Sequence, residues 1–170
     1  MGNIAVEPLS RAKIRGRAAF LRNVLGLQGL YIRIDIVLEI MSCPMKNADP
    51  LIEMEICEDY EMPKEYAVYS PQKNLLRIRN SVYEGACAGN PRDRFTLAHE
   101  LGHFFLHRYQ TYQFARSEVD IPAYRDPEWQ ANTFASEFLM PHDKIQGMSV
   151  EDVMKQCGTS RQAAEIALKK

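Results

Sequence analysis

His99, Glu100 and His103 stand in the spacing H-E-x-x-H, inside the run Phe95-Thr96-Leu97-Ala98-His99-Glu100-Leu101-Gly102-His103-Phe104-Phe105-Leu106-His107. On an α-helix, residues i and i+4 share a face about 6 Å apart along the axis, so two imidazoles so spaced can grip one divalent ion. Glu100 follows the first of them and points slightly aside, where a carboxylate can take a proton from a water that the ion activates. The pattern is that of metal-assisted hydrolysis of a peptide bond.

Two histidines do not complete a catalytic zinc site, which takes three protein ligands and leaves a position open. His107 continues the i+4 series, but it lies about 12 Å along the axis from His99, beyond the reach of a shared ion. Its expected work is packing or hydrogen bonding below the site. The better candidate lies in the segment from Asp126 to Pro141. Asp126 as cap and Pro127 at the first position announce a helix, and Pro141 ends it. Ala131, Phe134, Ala135, Phe138 and Leu139 form its apolar stripe, bordered by Glu128 and Asn132 one turn apart. A first-turn glutamate is ordinary on its own. If the neighbour of that stripe is the H-E-x-x-H helix, however, Glu128 supplies the third ligand and Asn132 hydrogen-bonds a ligating imidazole. Gly102 would let the second helix approach closely. Glu118, Asp120, Glu137 and His142 are rivals without that shared face, and no cysteine is in helical register with the histidines.

The elements that must position these groups read as follows. Asn90 caps the metal helix, Pro91 opens it, and Asp93 is placed to reach back as a capping partner. Phe95, Ala98, Leu101 and Phe105 recur at helical spacing, and Leu97, Phe104 and Leu106 make the helix apolar nearly all round, hence buried. A first helix is expected from Ser10 to Gly26, with Arg11, Lys13, Arg15, Arg17 and Arg22 read as a solvated basic face. A second spans Ile34 to Met41. The alternation of Ile52, Met54 and Ile56 with Glu53, Glu55 and Glu58 predicts a strand. Tyr66 to Tyr69 and Leu75 to Arg79 predict a hairpin, and Asn80 to Gly89 a link to the metal helix. An exposed edge of that sheet can hold an extended peptide, and the Leu75–Arg79 arm is the expected place.

Near the C-terminus, Ser149 with Asp152 gives a cap, and Val150, Val153, Met154 and Cys157 an apolar stripe. Gly158-Thr159-Ser160 then turns the chain into a helix carrying Ala163, Ala164, Ala167 and Leu168. This unit resembles a DNA-reading helix-turn-helix, but Arg161, Gln162, Glu165, Lys169 and Lys170 make its second helix only modestly basic. The reading is a helical hairpin over 146–170 packed on a domain formed by 1–145, with no direct role on DNA.

Composition sets the outer bounds. A chain of 170 residues, 46% apolar and 25% charged, suits one globular domain. A net charge of −1 gives no argument for nucleic acid or a membrane surface. No apolar run approaches a membrane span, and no charged-then-apolar leader pattern opens the sequence. Cys43, Cys57, Cys87 and Cys157 are scattered and read as reduced thiols of a cytoplasmic protein.

The runs Val82-Tyr83-Glu84-Gly85-Ala86, Arg92-Asp93-Arg94-Phe95-Thr96-Leu97-Ala98-His99-Glu100-Leu101-Gly102-His103, and Glu128-x-x-Ala131-Asn132-x-Phe134-Ala135 leading to Leu139-Met140-Pro141 resemble the ImmA/IrrE family of bacterial metallopeptidases. The resemblance covers roughly residues 50 to 142. It implies an α+β fold with a compact zincin-like core, in which a small mixed sheet packs on the H-E-x-x-H helix and on a second ligand-bearing helix. It also implies zinc held by His99, His103 and Glu128, manganese being the alternative ion, with Glu100 as base. The implied substrate is a helix-turn-helix repressor encoded nearby, whose cleavage derepresses stress-response or mobile-element genes. A different class of function, a non-cleaving regulator with a structural metal, calls for a fourth protein ligand such as His142 or a cysteine. Tyr109, Tyr112, Tyr124 and His142 are candidates for steadying the oxyanion, and spacing does not choose among them.

Overall fold

The structure is a computed structural model that describes residues 3–44, 49–109, 113–115 and 121–169. In chain order its elements are β1 (Asn3–Ala5), α1 (Arg11–Val24), α2 (Ile34–Ser42), β2 (Glu53–Cys57), β3 (Ala67–Ser70), β4 (Leu75–Arg79), α3 (Asn80–Cys87), α4 (Pro91–His107), β5 (Gln113–Ala115), α5 (Pro127–Leu139), α6 (His142–Ile145), α7 (Val150–Cys157) and α8 (Arg161–Leu168). The fold is α+β, helix-rich around one small mixed sheet. No described helix is long and apolar enough to cross a membrane.

α4 is the axis of the core. Asn90 Oδ1 accepts from the backbone N–H groups of Arg92 and Asp93 at 3.0 and 3.4 Å, and Pro91 loses no hydrogen bond at the first position. Asp93 itself turns toward α3, where a Cβ on Gly85 would strike its carboxylate. Leu97, Ala98 and Leu101 are fully buried, and every residue from Asp93 to Arg108 is buried or half-buried. α5 lies across α4 through Phe134, Ala135 and Phe138. Gly102 is the crossing point: a Cβ there would stand 3.0 Å from the Ala131 carbonyl oxygen and 3.1 Å from its Cα, so any side chain would push the helices apart.

α1 covers the other side of α5, and its basic residues do more than face solvent. Arg15 Nε donates to Glu137 Oε2 at 3.0 Å, Arg11 lies 3.8 Å from the same carboxylate, and Arg22, 4% exposed, donates to the Phe138 carbonyl at 2.7 Å. Three of the five cations therefore tie α1 to α5, while Lys13 and Arg17 remain exposed.

The sheet has the order β2-β4-β3, with β2 parallel and β3 antiparallel to β4. Leu75–Arg79 is thus the central strand, flanked on both sides, and offers no edge to a peptide. The side of the sheet that meets α4 is β3. The expected link from Asn80 to Gly89 is mostly helix, because Val82 and Ala86 sit one turn apart on a buried stripe. The antiparallel pair β1–β5 and the short α6 carried no signal recognised in the sequence.

The C-terminal hairpin forms its own apolar cluster of Val153, Cys157 and Ala164 with Met140 and Ile145. Gly158 makes the turn at φ +63, a conformation that disfavours side chains. Arg94 of α4, 1% exposed, fastens the hairpin: it donates to the Cys157 carbonyl at 2.9 Å and the Ile32 carbonyl at 2.8 Å, and its guanidinium stacks 4.1 Å from the Tyr31 ring. On α8, Arg161 pairs with Glu151 at 2.7 Å.

Candidate metal centre

α4 and α5 bring His99, His103 and Glu128 to one point. The Nε2 atoms of the two histidines are 3.0 Å apart, His99 Nε2 is 3.3 Å from Glu128 Oε2, and His103 Nε2 is 3.3 Å from Glu128 Oε1. Four ligands around zinc at bonds of about 2.0–2.1 Å stand about 3.3 Å from one another. Two imidazoles and a carboxylate are a donor set that zinc accepts, so the residues present fit the ion.

The hydrogen bonds behind these rings decide which nitrogens carry protons. The Gln130 amide nitrogen donates to the carbonyls of Glu7 and Tyr124 at 2.9 and 2.8 Å, which can only accept. Its Oε1 must therefore be the atom 3.0 Å from His107 Nε2, and His107 carries its proton there. That leaves His107 Nδ1 as an acceptor for His103 Nδ1–H, 3.2 Å away, and leaves the lone pair of His103 on Nε2, toward Glu128. On His99 the same task falls to Asn132, whose Oδ1 is 3.1 Å from Nδ1. When both imidazoles are neutral, acceptor atoms of three side chains thus converge with no donor among them, an arrangement that a cation relieves.

The electrostatics agree. Burial pushes His107 down to about 4, so this ring is neutral at pH 7. Burial also depresses His99, but the Glu128 hydrogen bond and the charges of Glu100 and Glu128 outweigh it and leave His99 above its ordinary value. Hydrogen bonding with the His103 and His99 imidazoles, once one of them gains a proton on Nε2, holds the Glu128 carboxyl well below the usual carboxylate range. In the chain alone a proton on an imidazole takes the cation's part.

Glu100 stands beside the convergence, 9% exposed, with Oε1 4.0 Å from His99 Nε2 and Oε2 accepting the backbone N–H of Tyr69 at 2.7 Å. Burial raises its carboxyl, against the pull of the two imidazoles and the Tyr69 N–H. A buried carboxylate anchored at one oxygen has its other oxygen directed and basic.

Among the described residues, no fourth side chain joins the three. Glu137 pairs with Arg15, His142 lies against Gln146 at 2.9 Å, and the four cysteines stand outside the cluster, Cys57 and Cys157 buried and Cys43 and Cys87 exposed. Tyr109 is 84% exposed and Tyr124 51%, whereas Tyr112, Glu118 and Asp120 lie outside the described residues. Sequence reasoning missed Gln130 and Tyr69. Gln130 had a signal, a polar residue at the i−4 and i−8 positions of the buried Phe134 and Phe138. Tyr69 acts through its backbone and had none.

Residues 55–169 match the family model Peptidase_M78, described as the IrrE N-terminal-like domain. No curated protein matches the chain.

Proposed function

We propose that this chain, which belongs to the IrrE N-terminal-like domain family of peptidases, is a zinc-dependent endopeptidase in which His99, His103 and Glu128 hold the ion and Glu100 is the general base. The observation that carries this reading is the convergence of three acceptor side chains with the Glu100 carboxylate beside them. Zinc, when bound, supplies a Lewis acid that polarises the scissile carbonyl and lowers the pKa of water. Glu100 takes the proton of the attacking water through Oε1 and hands it to the leaving amine, while the Tyr69 N–H keeps Oε2 in place. His107, Gln130 and Asn132 hold the imidazoles in the tautomers that leave Nε2 unprotonated.

The substrate lies extended along β3, whose outer side pairs with no other strand among the described residues. Residues 1–145 form the peptidase domain and 146–170 a hairpin packed on it. The motif resemblance supports a finer reading: the chain works in the cytoplasm and cuts a helix-turn-helix repressor encoded beside it, so that stress-response or mobile-element genes are expressed. Manganese is the alternative ion. The test is to incubate the purified chain with zinc or manganese and that repressor. Discrete fragments, lost with a chelator and lost in Glu100→Gln while that variant still binds metal, are expected. A Glu100→Gln variant that cuts as well as the parent would remove Glu100 from its role.

A further inference from the structure

A groove of about 580 Å³ lies between α4, α5 and α8, beside the metal centre. Phe95, Trp129, Met140, Ala163 and Ile166 give it apolar walls. It is continuous with the site, for Asn132, which meets His99 Nδ1 at 3.1 Å, also lines it. Concave, mostly apolar spaces with a few fixed polar groups are what ligands occupy.

One of those polar groups is unmatched. Thr159 is 5% exposed, lines the groove, and its buried Oγ1 has no hydrogen-bond partner among the described residues. Arg11, on the same groove, has an Nη1 that likewise makes no hydrogen bond, with Glu137 Oε1 at 3.8 Å. Buried hydroxyls are normally satisfied, and an unpaired one costs stability that a bound amide or carbonyl would restore.

The sheet points to the same place. From Tyr69, whose N–H meets Glu100, the chain of β3 runs back to Ala67 and the adjoining Tyr66, and Arg92 stacks 4.8 Å over the Tyr66 ring while also lining the groove. At about 3.3 Å per residue, an extended chain that passes Glu100 along β3 reaches the groove within about three residues. α4 gives the same span, since Arg92 and Glu100 are about 12 Å apart along its axis.

Resting on the peptidase reading, we propose that this groove is the specificity subsite of the enzyme. It takes a large aliphatic or aromatic side chain one to three residues from the bond that is cut, and Thr159 Oγ1 hydrogen-bonds the backbone of the same segment. The face of α8 carrying Ala163 and Ile166 therefore belongs to substrate selection.

Trp129 is the only tryptophan of the chain, so its emission reports on the groove without any cleavage. The probe is a pair of capped decapeptides of Ser, Gln and Ala, identical except for a central Leu or Ser, titrated into zinc-loaded Glu100→Gln. The Leu peptide should shift Trp129 emission and bind about tenfold to a hundredfold tighter. Ala163→Phe, which fills the groove, or Ile166→Glu, which charges it from an exposed position, should abolish that difference. Thr159→Val should weaken both peptides about threefold to tenfold while leaving the thermal stability of the free chain unchanged or higher. Equal affinity of the two peptides, no binding of either, or a preference that survives both groove variants overturns the proposal. Wild-type chain loaded with zinc, given peptides from a denatured-protein digest, separates the two readings. Cuts clustered beside large apolar residues are expected. Cuts without that bias overturn the subsite and spare the peptidase, whereas selective peptide binding without any cut overturns the peptidase and spares the groove.

Discussion

Replacing Gln130 by methionine keeps the volume of a fully buried side chain and removes three hydrogen bonds, to His107 Nε2 at 3.0 Å and to the Glu7 and Tyr124 carbonyls at 2.9 and 2.8 Å. At about 1 kcal/mol for each bond, and somewhat more for the carbonyls left dry, the fold should lose about 2–4 kcal/mol. The second effect falls on the ion. Without an acceptor at Nε2, the His107 proton can move to Nδ1, where it meets His103 Nδ1–H and drives that proton to Nε2, the atom turned toward Glu128. Undoing this before metal can bind should weaken zinc about tenfold to a hundredfold, or about 1.4–2.7 kcal/mol. Competition with a chromophoric chelator at neutral pH, well below the melting temperature, measures it. Nitrogen-resolved NMR of the imidazoles in the metal-free chain, at a pH high enough that His99 has lost its extra proton, reads the cause directly, with protons expected on Nδ1 of His99 and His103 and on Nε2 of His107. A folded Gln130→Met chain with undiminished zinc affinity, or a parent chain whose His103 proton sits on Nε2, would refute the reasoning.

Other outcomes follow from the same geometry. Asn132→Ala removes the partner of His99 at an exposed position, so zinc should weaken about tenfold with little change in melting temperature, as chelator competition and calorimetry would report. His107 has a folded value of about 4 against an ordinary 6.5. Between those values only the unfolded chain binds the proton, so metal-free stability should fall by about 3 kcal/mol as pH drops from about 6.5 to about 4. Urea melts across that window should show the slope, and His107→Phe should flatten it. Zinc at a hundredfold excess over its Kd should add about 2.7 kcal/mol, raising Tm by several degrees. Glu128→Gln should forfeit most of that rise, and a Tm indifferent to zinc would deny the site. Arg94→Met strands the carbonyls of Cys157 and Ile32 and should cost about 2–4 kcal/mol, exposing the segment before α7 to limited proteolysis. A cleavage pattern unchanged from the parent would count against Arg94 as the fastening.

α4 and α5 were legible because local chemistry fixes them. Asn90-Pro91 and Asp126-Pro127 are caps that act within a few residues, and the stripes of Leu97, Ala98 and Leu101 and of Ala131, Phe134 and Phe138 give each helix its buried face. The meeting of Glu128 with the two imidazoles was legible as well, since Gly102 and the position of Glu128 beside the stripe both imply the crossing. The sheet was not. Leu76 and Ile78 are buried while Arg77 reaches Glu55 across the surface, an alternation that an edge strand and a half-covered central strand share. Only the parallel pairing with β2, between segments distant in sequence, distinguishes them. α3 was hidden by Gly85 in its middle, which is there because Asp93 of α4 packs against it. The basic face of α1 was misread in part because Glu137, its partner, is 122 residues from Arg15.

The hold on Glu100 comes from the main chain of Tyr69. Such a donor does not itself depend on the chemistry of the side chain, and proline is the one exchange that deletes it outright, whereas the buried Tyr69 ring, edge-on to Phe104, helps to keep the strand in place. What the carboxylate does depend on is alignment: Tyr69 stands opposite Leu76, and sliding β3 by a single residue would carry the Tyr69 N–H about 3.4 Å from its place and swap the inner and outer faces of the strand. The acid's bearing is thus inherited from how two strands are laid side by side, and the apolar contacts that lock their alignment guard the chemistry from a distance.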